Sequence, residues 1–414
     1  MPMEIWKRNL YILWFAQFMV LAAMNLVIPF LPLFLQHDLG VSDPVAAQHW
    51  TGWIFAANFL TAFLVAPLWG KLSDKTGRKA MLLRSGIGMS IVTLCMGFVA
   101  SPVQLLALRL LNGLISGFVP AAVALVSTNT PKEKAGYALG LLQSGAVAGT
   151  ILGPLLGGLL AEWVSFRNIF RVTGLLLFGA AMLVLLFVRE VNKPQSKPKA
   201  ELLPNEETGL RRIIHTSPLP GLFLTGFLIQ FAMMSTNPFM SSYVQELWHS
   251  GAFMSLMVGV VISASGISTM LFSPLLGKWG DKIGPQYVLL ICLIGTVVFF
   301  IPQGLVHSVW PLIVLRFLLG MCIGGLIPSV NNLIRKHAPE GMESQTFAYS
   351  TSAMNLGNLL GPIVGGALSG VIGLHGLFFM AATLFLMNTM WVKYTLHRAQ
   401  SPRMLLSRLL QTKL

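Results

Sequence analysis

The chain has 414 residues, of which 55% are hydrophobic and only 10% charged, against roughly a quarter charged in an average soluble protein. So few charges cannot coat a soluble globule of this length, and so apolar a chain does not stay disordered. The excess of 28 Lys and Arg over 14 Asp and Glu fits nucleic acid or an anionic membrane surface, and the apolar content decides for the membrane.

A helix that crosses a hydrocarbon core of about 30 Å needs about 20 mostly apolar residues. Twelve segments meet that need, at 10–35, 50–70, 81–100, 104–128, 137–161, 168–188, 221–245, 254–277, 287–307, 310–334, 346–370 and 376–396. Their length predicts helices, because unpaired strand edges are not tolerated in lipid. The first is too long for a signal-peptide core and lacks a small-residue cleavage site, so it is expected to stay in the chain. Residues 190–220 carry five prolines and mixed charge and read as a polar linker with room for a short amphipathic helix over 206–215. The expected organisation is a bundle over 1–189, this linker, a second bundle over 221–397 and a tail over 398–414.

Basic residues set the orientation. With the N-terminus in the cytoplasm, 24 of the 28 Lys and Arg fall on that side, among them Lys71, Arg78, Lys79, Arg84, Lys278 and Lys282. Arg167 and Arg171 fall outside, and Arg109 and Arg316 are expected to be the only fixed charges within helices. Both termini are therefore expected in the cytoplasm, and the net charge of +14 becomes a signal of topology.

The two halves repeat each other. Pro67 to Gly77 aligns with Pro274 to Gly284 at an offset of 207, with seven of eleven positions identical. Arg109, Gly113 and Gly117 meet Arg316, Gly320 and Gly324 at the same offset. Gly149, Gly153, Pro154, Gly157 and Gly158 meet Gly357, Gly361, Pro362, Gly365 and Gly366 at 208, and Pro29 and Gln36 meet Pro238 and Gln245 at 209. Duplicated six-helix halves predict a transporter with its site between them, near the bilayer midplane.

Three motifs stand on this frame. Gly70, Asp74, Gly77, Arg78 and Lys79 mark a tight turn after the second helix, where glycine supplies positive φ. Asp74 can accept hydrogen bonds from Arg78 or from a neighbouring helix start. Gly277, Asp281 and Gly284 repeat the turn without a counterpart of Arg78. Arg109 stands about one and a half turns into the fourth helix, with Arg316 its repeat in the tenth. An intramembrane arginine is costly and reads as a functional group facing the bundle interior; the structural alternative is an arginine snorkelling to the outer end or tied to carbonyls. Gly145, Gly149, Gly153 and Gly157 recur every fourth residue, so they share one face of the fifth helix and admit a close neighbour. Gly140, Pro154 and Gly158 complete that pattern.

These motifs, duplicated over nearly the whole chain, resemble those of the major facilitator superfamily, in its twelve-helix drug:proton antiporter branch. The resemblance implies an all-α membrane protein with twelve transmembrane helices in two pseudo-symmetric six-helix bundles, placed in the cell membrane. It implies a gating loop at residues 70–79 and a part in proton coupling for Arg109. It further implies an antiporter motif, associated with export, at Gly140, Gly149, Gly153, Pro154, Gly157 and Gly158, and a monomeric state.

Many exporters of that branch embed a carboxylate, but none of the 14 acids here lies deep in a helix. Asp38, Asp43, Glu162 and Glu246 lie at outer ends and the others on the cytoplasmic side. Asp38 and Glu246, at equivalent ends of the first and seventh helices, are the nearest coupling candidates beside Arg109 and Arg316, and a solvated helix end is the simpler reading of both. Gln17, Asn25, Asn58, Asn112, Gln143, Gln230, Asn237, Asn331 and Asn355 are the cavity candidates, each equally suited to bonding between helices. With Trp14, Phe18, Met19 and Met24 nearby, they suit an apolar ligand that adapts its pose. Without an embedded acid the site should prefer neutral, anionic or zwitterionic lipophiles over dications.

The expected function is secondary active multidrug efflux of lipophilic small molecules by alternating access, driven, by resemblance, by proton antiport. A lipid, glycolipid or sugar exporter on the same fold is the alternative. A membrane enzyme is disfavoured, because the eight histidines form no i, i+4 pair and general acid–base chemistry needs partners within reach. Cys95, Cys292 and Cys322 have no metal-ligand or disulfide spacing. No cofactor or metal is expected; the partners are the substrate, protons and the bilayer, not nucleic acid.

Overall fold

A computed structural model describes residues 5–131, 134–190, 213, 215–248, 253–339 and 342–399. They build helices α1 (Ile5–His37), α2 (Pro44–Thr76), α3 (Arg78–Met96), α4 (Pro102–Asn129), α5 (Ala135–Trp163) and α6 (Phe166–Phe187). The second half supplies α7 (Leu219–Leu247), α8 (Met254–Ile283), α9 (Pro285–Gln303) and α10 (Val309–His337). The last stretch, Glu343–Ala399, bends at Gly373 (φ +70°) into α11 over 343–372 and α12 over 374–399. The all-α, twelve-helix expectation holds. Of the expected linker, residues 191–212 and 214 lie outside the described residues, as do 400–414 of the tail and nearly all of the amphipathic helix expected at 206–215.

Local sequence explains where several helices begin. Asp43 caps α2 by accepting from the amides of Val45 and Ala46 (3.1 and 3.2 Å), with Pro44 in the first turn. Ser101 caps α4 ahead of Pro102 in the same way. The expected turn at residues 70–79 is shorter than the motif suggests. Helix α2 continues to Thr76, so Gly70 is helical, and Gly77 alone (φ +96°) reverses the chain before α3. Gly284 (φ +100°) does the same between α8 and α9, leaving Gly277 and Asp281 inside α8. Backbone hydrogen bonding carries each helix past the end of its apolar run. The side chain of Asp74 lies outside what is described.

Glu190, just after α6, caps the helix that follows this turn. Its carboxylate accepts from the amides of Arg78 (2.9 Å) and Lys79 (3.1 Å), holding a negative charge at the start of α3. Glu190→Ala should therefore lower stability by about 1 kcal/mol, read as a drop in the melting temperature of the purified protein; an unchanged melt would show the cap to be idle.

Glycines set how closely the helices approach. On α5, a Cβ at Gly149 would sit 2.5 Å from the carbonyl oxygen of Phe18, and one at Gly157 would sit 2.4 Å from that of Leu26. The expected close neighbour of this glycine face is therefore α1. Gly357, Gly361 and Gly365 repeat the contact between α11 and α7. Gly140 has open space around it and takes no part.

The halves meet along α5 with α8 and α2 with α11. Gly158 abuts Ser255, Gly259 abuts Pro154, Gly52 abuts Pro362 and Gly366 abuts Gln48. These approaches lie between the middle of the bundle and the face opposite the N-terminus. On that face Glu162, at the end of α5, accepts from the amides of Ser255 (2.8 Å) and Leu256 (3.2 Å) at the start of α8, so an acid of one half caps a helix of the other.

Candidate functional site

Helix α4 is broken in mid-span, and the break shapes the site. Pro120 has no N–H to give to the carbonyl of Ser116, four residues earlier. Gly117, at φ +134°, then lets the chain step sideways before the helix resumes at Phe118. Carbonyls freed in this way must find partners inside a bilayer. Arg84 donates from Nη2 to the Ser116 oxygen (3.2 Å), and Trp69 donates from Nε1 to the Leu114 oxygen (2.7 Å). The Arg84 guanidinium stacks 3.4 Å above the Trp69 ring, a favourable pairing once desolvated. Arg84 was counted with the cytoplasmic charges; it sits instead in the second turn of spanning α3, so Arg109 and Arg316 are not the only fixed charges within the helices. At the offset of 207 the second half has Leu276 and Ile291 in place of Trp69 and Arg84, and α10 runs unbroken.

Two cavities are lined by described residues of the first half, and the larger adjoins this break. The larger, of about 720 Å³, is walled by Met24, Phe59, Trp69, Met81, Met89 and Phe118, with Arg84 and Arg78 as its cations. It reaches Ser127 and Thr128 near the end of α4, on the face that carries the N-terminus. The smaller, of about 110 Å³, shares Met24, Asn58, Phe59 and Met89 with it and ends at Arg109. Arg109 has a sealed, unpartnered Nε, and the same cavity holds unpartnered oxygens of Asn58, Asn112 and Thr173. Four unpartnered polar atoms thus cluster around one small apolar space, where buried polar groups left unpaired are costly.

The duplicated arginine behaves differently. Arg316 is 1% exposed, donates to Asn237 Oδ1 (3.1 Å) and to Met240 Sδ (3.4 Å), and lies 5.9 Å from the Phe378 ring. Asn237 belongs to a three-residue 3-10 turn, Asn237–Phe239, that interrupts α7 at Pro238. Its match in α1 is the turn Ile28–Phe30 around Pro29, and the two turns touch across the halves. Where α7 has Asn237, α1 has Ile28. Arg109 therefore lacks a counterpart of that amide at the α1 bend and faces a cavity, while Arg316 is tied to the bend of its neighbour.

The other expected residues divide. Asn58 and Asn112 line the Arg109 cavity. Gln17 is fully buried with both ends of its amide unpartnered. Asn25 bonds the Leu21 carbonyl of its own helix, and Gln143 is exposed. Gln230, Asn331 and Asn355 are half-buried in the second half and line neither cavity. Asp38 pairs with Arg167 at 3.2 Å, and Glu246 stands 3.9 Å from His375. The sequence reading passed over Trp69, Arg84 and Pro120, whose spacing becomes meaningful only once α2, α3 and α4 are side by side.

The family profile of the Major Facilitator Superfamily matches residues 13–255 and 222–408. The chain belongs to the Major Facilitator Superfamily. The Multidrug resistance protein MdtG of Salmonella arizonae is 39% identical over 397 residues, covering 95% of this chain and 96% of that protein. The MdtG of Enterobacter lignolyticus is likewise 39% identical, over 95% of this chain and 93% of its own. Among solved structures, the nucleoside transporter NupG superposes with a TM-score of 0.77 at 15% identity, covering 95% of this chain and 99% of that one. A bacterial homologue of the lysosomal transporter Spinster, solved inward-facing and unoccupied, gives 0.78 at 15% identity over 97% and 100%. At such identities the structures attest to the fold alone. As a member of the superfamily the chain is a multi-pass membrane transporter, and the relatives place it with multidrug exporters.

Proposed function

We propose that this protein expels lipophilic small molecules from the cytoplasm across the inner membrane by alternating access, driven by proton antiport and working as a monomer. One observation carries the reading: an apolar, methionine- and aromatic-lined cavity of about 720 Å³ reaches the face bearing the N-terminus, while the halves pack through glycines toward the other face. The clustering of Lys and Arg supports a cytoplasmic N-terminal face, so this arrangement is the inward-open one. Methionine walls adapt to ligands of different shape. Among the described residues, the charged side chains lining the two cavities are Arg78, Arg84 and Arg109, which favours neutral, zwitterionic or anionic lipophiles over dications.

Transport in proteoliposomes under an imposed pH gradient, with a panel of lipophiles, tests the proposal. Several unrelated compounds should move against their own gradients in the native protein. Arg109→Ala should lower gradient-driven movement at least about tenfold, equivalent to ~1.4 kcal/mol. Movement that ignores the pH gradient in the native protein would remove the antiport reading, and strict selectivity for one lipid or sugar would replace the multidrug one.

A further inference from the structure

The duplication places two ion pairs at matching positions on the face opposite the N-terminus, and they differ in one decisive respect. Asp38 and Glu246 stand at matching helix ends, one residue out of the 209 register of Pro29 and Gln36 with Pro238 and Gln245, and Arg167 and His375 correspond at an offset of 208. In the first half Arg167 Nε meets Asp38 Oδ1 at 3.2 Å and Nη1 donates to the Val99 carbonyl (2.9 Å), tying the start of α6 to the end of α1 and to the α3–α4 connection. In the second half His375 Nε2 stands 3.9 Å from Glu246 Oε2, and Nδ1 lies 2.9 Å from the carbonyl oxygen of Gly304 in the α9–α10 connection. The architecture is the same. Arginine is charged at every physiological pH, whereas histidine changes charge within that range.

The hydrogen-bond partners settle which ring nitrogen is free. A carbonyl can only accept, so Nδ1 must carry the hydrogen that is given to Gly304. The Tyr243 hydroxyl, 3.3 Å from Nδ1, donates to the carbonyl of Gln303 and so offers the ring only an oxygen. In the neutral ring Nε2 is then a bare lone pair facing a carboxylate. Two acceptors 3.9 Å apart stop short of hydrogen-bond distance, and one proton between them would supply the missing donor. The two side chains are 41% and 50% exposed, so protons reach them from that face.

We propose that Glu246 and His375 together bind one proton, and that this pair is the switchable counterpart of the fixed Asp38–Arg167 pair. Protonation makes Nε2 a donor to the carboxylate and fastens the start of α12 to the end of α7. Loss of the proton releases that end. The end of α7 follows directly on the 3-10 turn where Arg316 holds Asn237 and where the two halves touch, so the fastening acts on the interface between them. Among the described residues, the charged and titratable groups on the surrounding elements are Tyr243 on the same helix, Arg316 on α10, His307 in the α9–α10 connection, His37 and the Asp38–Arg167 pair at the end of α1, His49 on α2, and Glu162 at the end of α5, which caps α8. Among the described residues, His375 alone pairs with Glu246. The assignment rests on proton-driven transport as the protein's activity and names where the proton acts.

The test uses the full chain in proteoliposomes, with a transported lipophile, varying the pH on this face through about 5–8, where histidine titrates. In the native protein the rate should follow that pH. His375→Arg, which copies the first half, and His375→Asn, which keeps a donor for Gly304 but has no second base, should flatten the profile at least about fivefold, while pH-independent substrate exchange persists. Nitrogen-15 resonances of labelled histidine, in detergent-purified protein, should show one ring titrating whose signal is lost in His375→Asn and whose midpoint falls in Glu246→Gln. Native transport indifferent to any pH gradient would refute the antiport reading while leaving the resonance measurement to judge the pair. A gradient-driven native protein whose profile survives both His375 substitutions would overturn the pair instead, as would a His375 ring that does not titrate in the native protein or that ignores Glu246→Gln.

Discussion

An Arg316→Met variant is expected to fold at least as well as the native protein and to lose transport. Burying an ionised group costs several kcal/mol even after relaxation, and apolar replacements of buried ionic groups are often neutral or stabilising by about 1–4 kcal/mol. Arg316 is 1% exposed, and its described partners are an amide oxygen, a thioether sulfur and an aromatic ring, with no carboxylate among them. Methionine fills much of the same volume beside Met240 and Phe378. Its one clear cost is the loss of Asn237's partner, about 1–3 kcal/mol. The near balance means that so costly a charge is kept for what it does at the α7 bend. Thermal melts together with proteoliposome transport decide the matter: a variant that unfolds makes Arg316 a structural group, and one that transports normally makes it dispensable.

The second large effect belongs to the α1–α5 contact. Gly149→Val would place a Cβ 2.5 Å from the Phe18 carbonyl oxygen and 2.8 Å from the Ala22 nitrogen, and both are backbone atoms that cannot swing aside. Overpacking of this kind costs about 1–3 kcal/mol or more, and here it forces α5 away from α1, which carries part of the cavity wall. Little monodisperse protein should be recovered on gel filtration, with a melting temperature well below the native one. Gly140→Val is the matched control, because Gly140 meets nothing within 4 Å; equal damage at both positions would mean that close packing is not the reason for the glycines.

Much of this was legible in the residues. The lengths of the apolar runs, the offsets of 207 and 208 and the four-residue spacing of Gly145, Gly149, Gly153 and Gly157 are one-dimensional signals. They anticipated twelve helices, two matching halves and a glycine face with a close partner. The turn at Gly77 was placed correctly but drawn too long, because helical hydrogen bonding does not stop where hydropathy does. At the same turn Glu190, more than a hundred residues away in sequence, caps the start of α3, a contact that no local pattern carries.

Duplication predicts equivalence, and the tertiary structure is where equivalence fails. Arg109 and Arg316 are one residue copied twice, yet Ile28 stands beside one and Asn237 beside the other, so one faces a cavity and the other is locked. Asp38 with Arg167 and Glu246 with His375 stand at matching helix ends that the sequence displays, but the meaning of that match depends on which atoms come within 4 Å. Composition, period and repeat, being properties of the chain taken residue by residue, determined that this is a twelve-helix transporter of duplicated design. Which buried charges find partners depends on side chains brought together from distant helices, and only the packed fold decided that.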